Sequence, residues 1–210
     1  MVVGNPGRPM TSSFEPVVAV AAVMAEFPNP WFVSGGWAID LFVGRVTREH
    51  HDVEVGLFLP DQEAVRAHLR GWDLFRIRED AWEPWADGDV VALPEFQLQA
   101  RAPEPGGRAF DLFLNPREGD EWVSRRHAGL RVPAAAIVEW SAGHGADPAG
   151  IPFLAPEIQL LYKAKYHRPK DDADFAVALP RLDGRRRAWL RAALEVHHPA
   201  DPWLDALGEP

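Results

Sequence analysis

The sequence predicts a mixed α/β (α+β) protein, a mixed-sheet domain followed by a small C-terminal helical subdomain. Three observations carry that expectation. Residues 52–59 hold apolar side chains in strict alternation at first, the period of a strand. Residues 14–27 hold apolar side chains at the spacing of one helix face. From about Pro156 onward the pattern is helical throughout.

The elements follow in order. Val17, Val18, Ala21 and Met24 define the first helix, which Pro28 and Pro30 end. Trp31 to Ser34 reads as a short strand entering a tight turn at Gly35-Gly36. Trp37 to Val43 follows as a helix stopped by Gly44. Asp52 to Leu59 is the alternating strand, and Pro60 opens a helix to about Arg70. Trp72 to Arg78 predicts another strand. Glu79 to Asp89, acidic and Trp-rich, reads as a loop. Glu95 to Arg101 and Arg108 to Leu114 predict a hairpin around Pro103 to Gly107. Ala142 to Pro152 is expected to connect the sheet domain to helices over 157–166, 170–179 and 185–196. The expected division is a flexible leader over 1–12, a sheet domain over 13–140 and a helical subdomain over 150–210.

Composition narrows the function. The absence of cysteine excludes disulfides, thiolate catalysis and Cys-ligated zinc. No apolar run approaches the roughly 20 residues that span a bilayer, and the leader lacks a signal-peptide core, so a cytoplasmic protein is expected. A formal net charge of -9 argues against nucleic acid as a general partner and for a cationic small molecule.

Two groups of residues point to chemistry. Positions i and i+2 of a strand share a face, so Asp52 and Glu54 place two carboxylates side by side. Such a pair repels itself unless a positive charge sits between, and hard oxygen ligands suit Mg²⁺. Asp111, within the apolar run Phe110-Asp111-Leu112-Phe113-Leu114, is costly unless paired. On a neighbouring strand it completes a site for two ions about 3.5–4 Å apart, which clamp an in-line phosphoryl displacement. The Ser34-Gly35-Gly36 turn permits close backbone approach to a phosphate ahead of a helix N-terminus. Arg45 and Arg48 follow it to neutralise phosphate charge. Each feature alone has a plainer reading, as a turn or a solvated strand face; their order and spacing together point to a site. The 79–89 stretch carries a further hypothesis, that Trp82, Trp85 and the acids around them hold a cationic amine.

The run Ser34-Gly35-Gly36-Trp37-Ala38-Ile39-Asp40, then Gly44-Arg45-x-Thr47-Arg48-x-His50-x-Asp52-x-Glu54, resembles the signature of the polymerase-β nucleotidyltransferase superfamily. More narrowly it resembles the aminoglycoside 2''-adenylyltransferase group. Pro156-Glu157-Ile158-x-Leu160-Leu161-x-Lys163-Ala164-Lys165 and Arg168-x-Lys170-Asp171-x-x-Asp174-Phe175 are similar to C-terminal helices of that broad group. The resemblance implies a nucleotidyltransferase fold, ATP or another NTP as donor, two Mg²⁺ and transfer of AMP or another NMP to a small-molecule hydroxyl. It implies Asp52 and Glu54 as metal ligands and Asp111 as a third ligand or the general base. It further implies Ser34, Gly35 and Gly36 at the triphosphate, His50 orienting the loop or touching phosphate, and Lys163 and Lys165 reaching in from the helices. The antibiotic-modifying relatives carry Asp-x-Asp, whereas this chain has Glu54; the superfamily pattern admits either acid. Rival readings keep the fold and change its use: a toxin-type enzyme acting on tRNA or protein, or a nucleotide-binding scaffold without chemistry.

Overall fold

In the computed structural model, which describes residues 13–78, 81–127, 129–143 and 148–208, the chain begins with α1 (Glu15–Met24), β1 (Phe32–Ser34), α2 (Gly35–Val43), β2 (Glu54–Phe58) and α3 (Gln62–His68). It continues with β3 (Asp73–Arg78), β4 (Ala81–Pro84), β5 (Gln97–Arg101), β6 (Ala109–Asn115), β7 (Arg117–Glu118), β8 (Glu121–Val123) and β9 (Arg131–Pro133). A last pair of strands, β10 (Val138–Ala142) and β11 (Ala149–Leu154), precedes α4 (Pro156–Lys163), α5 (Pro169–Ala178), α6 (Gly184–His197) and α7 (Trp203–Leu207).

Eight strands form one mixed sheet in the order β10-β11-β1-β2-β6-β5-β3-β4, and β7-β8-β9 form a separate small one. The β1/β11 and β2/β6 pairs are parallel and the other pairs of the large sheet are antiparallel. Alternation decides the two faces of the sheet. Val55 and Leu57 of β2 join Leu98 and Ala100 of β5 and Leu112 and Leu114 of β6, all buried, in a core that also takes Phe14, Val17, Val20 and Met24 from the α1 region. Burying each such side chain contributes roughly 1.5–3 kcal/mol, which pins the register, because a one-residue slip would turn this set outward. The opposite face carries Glu54, Gly56, Asp111 and Phe113. Gly56 is required there, because a Cβ would run into the Phe32 ring.

The α2 helix is buried nearly all round. Trp37, Ala38 and Leu41 enter the sheet core, while Ile39 and Val43 join a second core built with α4, α5, α6 and α7. Gly44 ends α2 in the left-handed conformation (φ 74°), returning its N–H to Asp40 O, as its place in the sequence predicts.

Three expectations are corrected. The helix after the glycine turn starts at Gly35 itself rather than at Trp37. The 79–89 stretch is not all loop: Ala81–Pro84 is an edge strand paired to β3, while residues 79 and 80 lie outside the described residues. Residues 142–152 are not a connector, since β10 and β11 form an antiparallel pair within the large sheet and β11 runs parallel beside β1. Gly and Pro obscured that hairpin. Gly143 and Gly150 take positive φ of 68° and 72°. Pro152 lacks a ladder N–H and sits opposite Trp140, where the pairing register shifts. The leader over 1–12 also lies outside the described residues.

Candidate active site

Strand register brings the acids together. Glu54 opens β2 and is the direct cross-strand partner of Asp111 on β6. Parallel partners share a face, and Asp52 precedes Glu54 by two residues on an exposed stretch. Asp111 is 8% exposed. Its Oδ1 accepts a hydrogen bond from Gln99 Nε2 at 2.9 Å and its Oδ2 one from Gln97 Nε2 at 3.2 Å. Burial raises the Asp111 pKa, the two amides oppose that rise, and the Asp52 charge adds to it.

Glu54 is pushed up to about 7, first by burial and then by the Asp52 charge, with Lys163 and Lys170 pulling the other way and Asp111 adding a further push. Acids held this close with too little positive charge suit an added cation. Among the described residues no three His, Asp or Glu side chains converge as a ready-made metal cage. The donor set instead suits an ion held by one or two carboxylates plus substrate phosphates, the habit of Mg²⁺. Asp52 and Glu54 could hold such an ion, with Asp111 across from Glu54.

The glycine turn accommodates these acids. Gly35 has φ +70°, and a Cβ there would lie 2.5 Å from Glu54 Oε2. A Cβ on Gly36 would overlap the Arg48 guanidinium and lie 2.5 Å from His50 Cε1. The Gly35 N–H donates to Gln159 Oε1 of α4 at 2.7 Å. The turn is therefore packed by side chains of the site and tied to the helical part. Ser34, 8% exposed, completes this wall.

Behind the turn two networks set the loop that leads to Asp52. Asp40, fully buried, accepts hydrogen bonds from the Thr47 backbone N–H and hydroxyl and pairs with His50 Nε2 at 2.6 Å. The His50 ring stacks on Trp37 at 4.2 Å, and Trp37 Nε1 donates to Asp52 O at 3.0 Å. His50 is thus placed to orient the loop. Arg48 donates to both carboxylate oxygens of Asp174 on α5. Lys163, 5% exposed, pairs with the same Asp174 at 2.7 Å and with Asp171 at 3.2 Å. Two of the cations expected at the triphosphate, Arg48 and Lys163, are accordingly matched by buried acids. Lys165 lies outside the cavity lining, with its ammonium over the Tyr166 ring.

A cavity of about 380 Å³ opens over this arrangement. Its lining includes Asp52, Glu54 and the glycine turn together with Arg125, Arg126, Tyr162, Tyr166, Arg168 and Lys170. No sequence pattern singles out Arg125 or Arg126, which reach the cavity because the β8–β9 connection folds back against α4, and Tyr162 is legible only as part of a helix face. Arg126 Nη1 donates to Tyr162 O at 2.6 Å. Arg168 and Lys170 stood only inside a motif of the helices. Acids and cations thus line one cavity, which suits a ligand that brings phosphates.

The Trp-rich stretch does not form the cage expected of it. Trp85 is 4% exposed, with Arg66 stacked 3.7 Å over its ring. Asp87 faces Arg66, while Glu83 and Asp89 face Arg76. Trp82 is 44% exposed on the edge strand, where it shares Arg101 with Phe75.

The fold is the one seen in solved nucleotidyltransferases. The fold matches, at low identity, those of solved antibiotic-modifying enzymes. ANT(2'')-Ia in complex with adenylyl-2''-tobramycin aligns with a TM-score of 0.59 and 18% identity, over 89% of this chain and 99% of that one. The solution structure of ANT(2'')-Ia aligns at 0.57 and 18%, over 89% and 92%. The lincosamide antibiotic adenylyltransferase LnuA, lincomycin-bound, aligns at 0.54 and 16%, over 80% and 97%. The particular likeness in sequence is to the aminoglycoside-2''-adenylyltransferase family, whose model matches residues 16–79, from α1 through β3 and across Asp52 and Glu54. No match is found among curated protein sequences.

Proposed function

We propose that this protein is a Mg²⁺-dependent nucleotidyltransferase that moves an NMP, AMP from ATP in the first instance, onto a hydroxyl of a small, antibiotic-like acceptor. One observation carries the reading. Glu54 and Asp111 are register partners on adjacent parallel strands, and Glu54 and Asp52 line a cavity that Arg126, Arg168 and Lys170 also line. The family match over residues 16–79 supports the same reading, as do relatives whose structures hold tobramycin adenylylated at its 2'' position or lincomycin.

In this reading Asp52 and Glu54 would hold Mg²⁺, which would supply charge stabilisation to the phosphoryl transfer. The acceptor hydroxyl oxygen bonds to the α-phosphorus, the α–β phosphoanhydride P–O bond breaks, and pyrophosphate leaves. Asp111 accepts the hydroxyl proton in this reading. Its buried setting raises its basicity, and Gln97 and Gln99 hold the carboxylate in one orientation. Arg126, Arg168 and Lys170 face the phosphate chain with opposite charge. The cationic character expected of the acceptor finds no support in the 79–89 stretch, whose acids already face arginines.

The test is a screen of the four NTPs against a panel of aminoglycoside, lincosamide and other hydroxylated antibiotics, read by mass spectrometry for an added NMP. Wild type with Mg²⁺ should yield a product, and Asp52→Ala, or wild type with excess chelator, should not. Product formation that survives Asp52→Ala would falsify the assignment of the acids, and no product with any pair would favour the scaffold reading.

A further inference from the structure

Arg125 is a cation placed without an acid to match it. It lies in the connection between β8 and β9, which the Ser124 side chain shapes. Ser124, 2% exposed, accepts backbone hydrogen bonds from Arg126 at 3.4 Å and His127 at 3.2 Å, and its own N–H donates to Leu130 O at 3.0 Å. The turn sends the Arg125 guanidinium over the site face of the sheet. There it lies 4.6 Å from the Phe96 ring and 5.4 Å from the Phe113 ring, with Tyr162 of α4 at 4.6 Å.

Its hydrogen bonding is incomplete. Nη1 donates to Asn115 Oδ1 at 2.7 Å. Nε is sealed from solvent and has no acceptor among the described residues. No Asp or Glu of the described residues pairs with Arg125, and Glu54 acts on it only as a more distant charge. Of the other cations lining the cavity, Arg48 is matched by Asp174, Lys163 by Asp171 and Asp174, and Arg168 by Asp171. Arg126 and Lys170 pair with no acid of the described residues but do not share the sealed, unpartnered nitrogen of Arg125. A guanidinium enclosed without its counter-charge is unfavourable, and aromatic walls offset that only in part. The arrangement is favourable when a ligand brings the negative charge, and a planar fork held rigid by three rings suits phosphoryl oxygens in particular.

We propose that Arg125 is an oxyanion-binding residue that grips the phosphate chain of the nucleotide donor, and the pyrophosphate released from it, at the floor of the cavity. The proposal rests on the nucleotidyltransferase reading and adds a residue to it. Burial holds the Arg125 pKa below its ordinary value, and a bound phosphate would restore the missing partner.

The test is calorimetric titration of inorganic pyrophosphate and of ATP, each with Mg²⁺ and without acceptor, into wild type, Arg125→Met and Arg125→Lys. Methionine keeps the apolar packing and removes the charge. Lysine keeps the charge and removes the fork. The expected result is a loss of about tenfold or more in pyrophosphate affinity for the methionine variant, and a smaller loss for lysine. Equal affinity in a folded methionine variant overturns the proposal while leaving the nucleotidyltransferase reading intact. Wild type that binds neither probe overturns both. If the methionine variant does not fold, phenylglyoxal labelling of wild type decides: the Arg125 peptide should be protected by pyrophosphate, and unchanged labelling at saturating pyrophosphate overturns the proposal.

Discussion

Arg48 reaches from the loop after α2 to Asp174 on α5 and donates from Nε and Nη2 to both carboxylate oxygens, at 2.8 and 2.9 Å. The pair fastens the loop that leads to Asp52 onto the helical part, and Lys163 joins it from α4. Asp174 is fully buried.

Removing Asp174 should therefore cost more than a surface ion pair would. Asp174→Ala leaves two enclosed cations facing each other without their shared acid. We expect a loss of about 3–5 kcal/mol in unfolding free energy, measured by urea denaturation. A loss below about 1 kcal/mol, the range of an exposed pair, would contradict this account.

Gly35→Ala should separate folding from chemistry. The φ of +70° strains an L residue, by roughly 1–2 kcal/mol. The new methyl would also displace the Glu54 carboxylate, 2.5 Å from the Cβ position. A displacement on the order of 1 Å at the reacting centre costs roughly 100-fold in rate. The expected outcome is a folded variant with a modestly lowered Tm and a transfer rate lower by about that factor. Wild-type kinetics in Gly35→Ala would show that Glu54 does not need its present position.

Trp82 and Trp85 should behave differently although they are three residues apart. Trp85→Ala empties a buried site beneath Arg66 and should cost about 3–5 kcal/mol of stability. Trp82 pairs across from Ile77 on the sheet face that carries Asp111 and stands 44% exposed. Trp82→Ala should leave stability within about 0.5 kcal/mol. The reverse pattern, an unstable Trp82 variant and a tolerant Trp85 variant, would contradict the assignment.

His167 should make stability depend on pH. Its Nδ1 faces Asp172 Oδ1 and its Nε2 faces Asp201 Oδ2, each at 3.0 Å. Partial burial works against the charged ring, but the hydrogen bonds to Asp172 and Asp201 outweigh it, and the pKa is raised from 6.5. A raised folded-state value means that the stabilisation is complete below the unfolded value, about 6.5 for His. It is lost as pH rises through the higher folded value. Asn tolerates the left-handed backbone at this position (φ 45°). The Tm difference between wild type and His167→Asn should thus be largest near pH 6 and shrink toward pH 9. A difference that stays constant across that range would remove His167 as the cause.

Legibility in the sequence followed the range of the interactions. Helix and strand periods are local, so α1, β2, β5, β6 and the last helices stand where the residue pattern predicts them. The β10–β11 pair was hidden, because the strand beside β1 carries Gly150 and Pro152, residues that locally signal a connector. Its place in the sheet comes from pairing with β1 and β10, which no local pattern records. The same holds for β4, an edge strand whose alternation is masked by acids already facing arginines.

For the site, the sequence alone determined the residue types and their order: Gly35-Gly36 ahead of Asp52 and Glu54, and Asp111 in an apolar run. Strand alternation is enough to put Asp52 and Glu54 on one face. Only the tertiary structure decided that Asp111 stands directly across from Glu54, because register between β2 and β6 is set by core burial far from the acids. It also decided which cations are matched. Lys163 and Arg48 are held by Asp174, whereas Arg125, from a loop without a pattern, is left to face the cavity. A charge is assigned its partner by distance in space, and distance in space is what a linear pattern does not contain.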